Sequence, residues 1–297
     1  MADKTTVGFI GLGVMGEPMC RNIATRPGAD VIAFDPRGEP LARLARDGVA
    51  AGAAVAEIAE RAEMILLSLP GGPELEAVCF GDGGIADHAK PGTTVVDFST
   101  SPVALARDIA ERLAVSGISF ADAPVARTRQ AAIDGTLSVM VGASPEVFAR
   151  IRPIIDHVAE EITHCGPVGC GQIVKLMNNM VLFQTVSALA EALTVAREAG
   201  LDGSVLFETL SKGSADSFAL RNHGMRALLP AEFPSAAFSV DYALKDLSYA
   251  LALAVETGVD AKGAKLAQSR LEAASESGLG GAYFPALIET LGTRETS

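Results

Sequence analysis

The sequence predicts an α/β fold, with an N-terminal doubly wound parallel sheet followed by an all-α domain. Three observations predict it. Short apolar runs alternate with helical patterns through the first half of the 297-residue chain, as strands joined by crossover helices do. A glycine-rich turn, Gly11-Leu12-Gly13-Val14-Met15-Gly16, separates the first apolar run from the first helical pattern. After the stretch Gly166-Pro-Val-Gly-Cys-Gly171 the alternation stops and only helical patterns follow, which marks a domain boundary.

Taken in order, residues 6–10 read as a buried strand, 15–24 as a helix and 31–34 as the next strand. Further strands are expected at 64–69, 94–98, 118–123 and 137–141, with helical patterns near 73–79, 103–116 and 145–155. Residues 172–199 form one long helical pattern, stopped by Gly200 where a left-handed residue ends a helix. At 1.5 Å per residue such a helix is about 40 Å long. Shorter helical segments follow at 204–211, 240–257, 261–277 and 285–291. These readings divide the chain into a dinucleotide-binding domain, 1–165, and a helical substrate and oligomerisation domain, 166–297. The active site is expected in the cleft between them.

Hydrophobic residues make up 49% of the chain and charged residues 20%, which excludes a disordered polypeptide. The net charge of −12 argues against nucleic acid as a partner. An anionic substrate must therefore meet a local basic pocket, against the global field. Cys20, Cys79, Cys165 and Cys170 fit neither a CxxC pair nor a zinc knuckle. His88, His157, His164 and His223 have no ligand spacing, so no metal is expected. The opening lacks a charged segment followed by a long apolar run, which with the cysteine usage points to a reducing cytoplasm. With no uninterrupted apolar window of about 18 residues, no membrane partner is expected. The long apolar helix and a mean hydropathy of +0.30 suggest a homodimer or homotetramer.

Each glycine of Gly11–Gly16 has a mechanical job: the tight turn, close approach of backbone to a pyrophosphate, and close packing of helix on strand. The pyrophosphate would sit at the helix N-terminus, where free N–H groups favour negative charge. With a strand before it and a helix and second strand after it, this turn reads as a Rossmann-type site. Asp35 ends that second strand and is placed for the adenosine ribose hydroxyls, which favours NAD over NADP. Arg37 leaves NADP possible, since an arginine there could accept a 2′-phosphate. Lys175 lies one turn into the long helix. Asn179 shares its face at i+4 and Asn178 can share it at i+3. A lysine enclosed in a cleft can serve as general acid or base.

Several blocks, in order, carry a resemblance. They are the run 7–19 around GLGVMG, Asp97-Phe-Ser99-Thr100, Asp122-Ala-Pro-Val125, Gly171-Gln-Ile-Val-Lys175-Leu-Met-Asn178-Asn179, and Lys245-Asp246-Leu247. Together they resemble the β-hydroxyacid dehydrogenases, which include 3-hydroxyisobutyrate dehydrogenase, with similarity over nearly the whole chain. The resemblance implies hydride transfer between a nicotinamide cofactor and a small anionic 3-hydroxy acid or its semialdehyde. It implies that Lys175 moves the proton, that Asn179 holds the substrate or the lysine with Asn178 beside it at the substrate, and that Asp122, which begins the substrate loop, orients that loop and counts among the substrate contacts. It also implies that Leu69, Pro70, Thr100 and Lys245 contact the cofactor.

One block departs from the family's pattern. The family continues DAPV with Ser-Gly-Gly, and this chain continues with Ala126-Arg127-Thr128-Arg129. A guanidinium there suits a strongly charged anion, as in sulfolactaldehyde reductases, so Arg127 and Thr128 are candidate substrate contacts and sulfonate is an alternative substrate anion. Imine reduction and a non-catalytic cofactor-binding role are the remaining alternatives. The lysine at 175 argues against the first, and Lys175, Asn179 and Lys245 together argue against the second.

Overall fold

The computed structural model describes residues 4–235 and 237–291. Its sheet is built from β1 (Thr5–Ile10), β2 (Ala29–Phe34), β3 (Ala50–Ala51), β4 (Met64–Leu67), β5 (Thr94–Asp97), β6 (Ser119–Asp122), β7 (Val125–Ala126), β8 (Leu137–Gly142) and β9 (Ala159–Gly166). The strand order is β3-β2-β1-β4-β5-β6-β8-β7, with β9 on β8. From β3 to β6 every pairing is parallel. The order reverses between β1 and β4, and the carboxyl edge at such a switch point is where α/β sheets bind ligands.

The apolar runs are continuous because both faces of the sheet are covered. In β4, Met64 and Leu66 join one core while Ile65 and Leu67 join the other, all four at most 3% exposed. Each such side chain contributes about 1.5–3 kcal/mol through burial. The helices Gly16–Ala24 and Pro145–Ile155 supply the first core, and Val55–Arg61, Gly72–Phe80 and Val103–Val115 the second.

Two features depart from the expected sheet. β8 is antiparallel to β6 and β7, because only the short helix Arg129–Asp134 and a left-handed Gly135 connect β7 to β8, and so short a link returns the chain antiparallel. The strand β9, absent from the expectation, pairs parallel to β8. Its sequence AEEITHCG buries only Ala159 fully, so no apolar run announces it.

The chain divides into two compact units between Lys175 and Leu176, beyond the glycine-rich stretch at 166–171. The reason is that residues 169–172 are hydrogen-bonded into the first unit's sheet, as described below. Among the described residues the second unit is helical. It comprises the body of Cys170–Glu198, then Gly203–Leu210, a π-helical segment Leu220–Leu228, Val240–Glu256, Lys262–Ala274 and a 3₁₀ segment Phe284–Thr290. Gly200, at φ +82°, ends the long helix with a Leu201 N–H to Ala196 O bond of 2.9 Å, the bond pattern of a left-handed helix stop. By length and composition this helix could pass for a membrane span. However, Leu176, Phe183, Val186, Ala190 and Leu193 make it the core helix of the second unit, each fully buried.

Candidate active site

The turn Gly11–Gly16 joins β1 to the helix Gly16–Ala24. Gly11 takes φ +92°. A Cβ on Gly16 would lie 2.0 Å from Gly11 O, whereas one on Gly13 would meet nothing within 4 Å. Gly16 therefore serves packing, and Gly13 leaves open the space that a pyrophosphate needs. These residues fit a dinucleotide. Leu12 is buried, Val14 is exposed at the crest of the turn, and Met15 packs partly against the core.

Asp35, just past β2, is 5% exposed. Its Oδ2 accepts the Leu12 N–H at 2.7 Å, and its two oxygens accept Arg37 Nε at 2.8 Å and Nη2 at 3.0 Å. Burial pushes the Asp35 carboxyl up, but the hydrogen bonds from Arg37 and Leu12 outweigh it and hold the group below the usual carboxylate range. Arg37 is thus forked onto Asp35, in a pair worth less than its geometry suggests because the arginine is more than half exposed.

The neighbouring strand ends are tied together. Beyond β4, the Leu69 N–H donates to Ser99 Oγ at 2.9 Å, while Pro70 is exposed and Thr100 half-buried. Asp97 and Asp122 face each other across β5 and β6, both fully buried. Asp122 Oδ1 accepts the Gly169 N–H at 2.6 Å and Oδ2 the Gln172 N–H at 2.8 Å. Both oxygens are taken by backbone, so Asp122 holds the first turn of Cys170–Glu198 and offers no carboxylate edge to a substrate. This corrects its expected place among the substrate contacts. Lys175 follows on that anchored turn, half-buried.

Arg127 and Thr128 are exposed. Arg127 Nη1 donates to Thr136 O at 2.6 Å and to Glu160 Oε2 at 2.5 Å. Thr128 Oγ1 caps the helix Arg129–Asp134 by accepting the Ala131 N–H at 3.4 Å. As placed, the guanidinium is committed to protein partners, and the expectation of a sulfonate ligand loses its support.

In the second unit, Asn179 is 4% exposed and donates to Asp246 Oδ2 at 2.7 Å, while Asn178 donates to Asn179 Oδ1 at 3.0 Å. Lys245 Nζ lies 3.2 Å from Asp246 Oδ1 and about equally far, 5.4 and 5.5 Å, from the ring centres of Tyr242 and Tyr249.

Comparison with known proteins agrees with this geometry. Residues 6–166 match the NAD binding domain of 6-phosphogluconate dehydrogenase, and residues 169–291 match the family described as NAD-binding of NADP-dependent 3-hydroxyisobutyrate dehydrogenase. The chain belongs to the β-hydroxyacid dehydrogenase family. It is 33% identical to 2-(hydroxymethyl)glutarate dehydrogenase of Eubacterium barkeri, covering 97% of this chain and 95% of that one. It is 35% identical to 3-hydroxyisobutyrate dehydrogenase of Pseudomonas aeruginosa, covering 84% and 85%. The solved structure of Mycobacterium tuberculosis 3-hydroxyisobutyrate dehydrogenase with L-serine superposes with a TM-score of 0.89 at 31% identity, covering 98% of this chain and 100% of that one. As a member of this family the protein is an NAD(P)-dependent hydroxyacid dehydrogenase.

Two residues of this dehydrogenase escaped the sequence reading. Gln172 is fully buried, with Oε1 accepting the Ser101 N–H at 3.2 Å and Nε2 donating to Ser99 O at 2.8 Å. It stitches the turn before Lys175 to the loop after β5. A glutamine in an apolar helix pattern was the available signal. Asp246, 2% exposed, orders Asn179 and pairs with Lys245; its place in the Lys245-Asp246-Leu247 block was the signal.

The buried pair of carboxylates makes a prediction. Burial pushes Asp97 up to about 6 from an ordinary 3.8, partly opposed by hydrogen bonds from Ser99 and reinforced by Asp122. A raised carboxyl favours the fold while protonated, so its contribution is fully present below pH 3.8 and is lost as pH rises through about 6. Asp97→Asn keeps an acceptor for the Ser99 N–H and carries no charge. Thermal melts should show the variant gaining on wild type between pH 4.5 and 7.5, by at most about 3 kcal/mol. A constant difference across that range would show that burial does not raise the Asp97 carboxyl in the fold.

Proposed function

We propose that the protein interconverts a small 2-substituted 3-hydroxy acid and its semialdehyde, with Lys175 as the general acid–base. The observation that carries this is the anchoring of the turn before Lys175. Asp122, Gln172 and Ser99 fix it at the carboxyl edge of the sheet, the same edge that carries the Gly11–Gly16 turn. Bound NAD(H) supplies or accepts the hydride. In the oxidative direction Lys175 takes the hydroxyl proton as the hydride leaves C3, and in reduction its ammonium returns a proton to the carbonyl oxygen. Backbone N–H groups of the 126–128 loop hold the carboxylate. The substrate class is supported by two relatives whose names share one chemistry, since 3-hydroxyisobutyrate and 2-(hydroxymethyl)glutarate both carry a hydroxymethyl group next to the carboxylate-bearing carbon. The test is NADH consumption with methylmalonate semialdehyde, tartronate semialdehyde, sulfolactaldehyde and a cyclic imine. Turnover of the imine alone would overturn the proposal.

NAD(H) is the preferred cofactor in this reading. Asp35 stays ionised and buried at the end of β2, and a 2′-phosphate beside it meets like charge, which costs several kcal/mol. Wild type should therefore favour NADH over NADPH in kcat/KM by about 10²-fold or more. Asp35→Ser, which frees Arg37, should narrow or reverse that ratio. Faster turnover with NADPH by the wild type would promote Arg37 to a phosphate ligand.

The protein in this reading is a cytoplasmic homo-oligomer. Its four cysteines are free thiols, as a reducing compartment keeps them. Val181, Val195, Val205, Val255 and Leu266 are each more than half exposed on the second unit, apolar side chains that contact with a second copy would cover. Sedimentation at micromolar concentration would detect the dimer or tetramer, and a monomer there would count against it.

A further inference from the structure

Arg127 sits at φ +84°, one of two left-handed non-glycine residues among those described. That conformation costs of order 1–3 kcal/mol and persists only where its surroundings over-determine it. Its surroundings do so. The backbone of β7 runs antiparallel to β8, with Val125 opposite Val139 and Ala126 opposite Ser138, so Arg127 follows at the start of β8. On the far side of β8, Leu137 pairs with Ala159 and Ser138 with Glu161. Glu160 is therefore the extra residue of a β-bulge, and a bulge re-aims a side chain. The Glu160 carboxylate meets the guanidinium that also holds Thr136 O. One side chain thus joins the loop after β7, the residue just before β8, and β9.

We infer that Arg127 is a positioning residue: with bulged Glu160 it clamps the 125–129 loop, and it serves the substrate anion through the loop's backbone and not through its own charge. Where the family pattern has Gly, this chain has an arginine, and an acid recruited from β9 holds its left-handed backbone. The inference rests on the proposed role of this loop in substrate binding.

Glu160→Gln separates the two roles by sign. If Arg127 were an anion ligand, removing its competing carboxylate would free it, and KM for the acidic substrate would fall. For a clamp, KM should rise roughly 3- to 10-fold, the scale of a charge-assisted but partly exposed pair. KM for NADH, kcat and Tm should stay near wild type, which a general loss of structure would not allow. Arg127→Ala should raise KM alike, and the double variant should be no worse than either single one. Hydrogen exchange of residues 125–136, read on the protein without substrate, should quicken in both single variants. A lowered KM in Glu160→Gln, or unchanged exchange, would overturn the clamp. If wild type turned over no hydroxyacid or semialdehyde, only the proposed function would fail, since the exchange measurement would still decide whether the clamp exists.

Discussion

Lys175→Ala should lower kcat by 10²–10⁴-fold while leaving the Kd for NADH within a factor of about two, because a general acid–base contributes roughly that much and acts on the substrate oxygen. The loss corresponds to about 3–5 kcal/mol of transition-state stabilisation. The turn that carries the residue is held by Asp122 and Gln172, neither of which the substitution touches. The variant should thus melt close to wild type, and alanine suits a helix interior. Lys175→Arg should recover little, since a guanidinium stays protonated and cannot take the hydroxyl proton. Single-turnover measurements with pre-bound NADH would isolate the chemical step. A kcat within tenfold of wild type would remove Lys175 from the chemistry.

The second large effect is a contrast between two glycines three residues apart. Gly16→Ala places a Cβ 2.0 Å from Gly11 O and 3.1 Å from Ser68 Cβ. Backbone cannot give way as a flexible side chain does, so the helix Gly16–Ala24 must move off β1. Overpacking of this kind costs about 2–3 kcal/mol, a fall in Tm of roughly 5–10 °C. Gly13→Ala meets open space and should leave Tm within about 1 °C. It instead fills the approach of the pyrophosphate to the backbone, and an overpacking cost of about 1–3 kcal/mol should appear as a roughly 5- to 150-fold weaker Kd for NADH. Melting curves and fluorescence titration with NADH on both variants check the pair. If Gly13→Ala bound NADH normally, the dinucleotide would not lie against this turn.

Local pattern made much of this protein legible. The apolar runs at β1, β4 and β5 are long enough to need two covered faces, and the Gly11–Gly16 turn between strand and helix is a short-range signal. So is the left-handed Gly200 that ends the long helix. The strand β9 was not legible, because its half-exposed sequence relies on β8 for its pairing. The turn before Lys175 shows the same limit at the site. Its position in the chain could be read, but what holds it could not.

What the sequence by itself determined is therefore the order of elements, the dinucleotide turn, and the helix that carries Lys175, Asn178 and Asn179. Each follows from spacing within a few residues, where helix and strand periodicity dictate which side chains share a face. Tertiary structure alone decided the partners. Asp122 caps a helix turn 47–50 residues later. Gln172 reaches back 71–73 residues to Ser101 and Ser99, Asn179 meets Asp246 67 residues on, and Arg127 meets Glu160 33 residues on. A charged or amide side chain on a strand end or helix face has many possible partners at such separations. The sheet order, the bulge in β9 and, for Asn179 and Asp246, the meeting of two helices of the second unit bring one of them within hydrogen-bonding distance. That is why Arg127, a free-standing anion ligand by its residue type, is in the folded protein a side chain already bound.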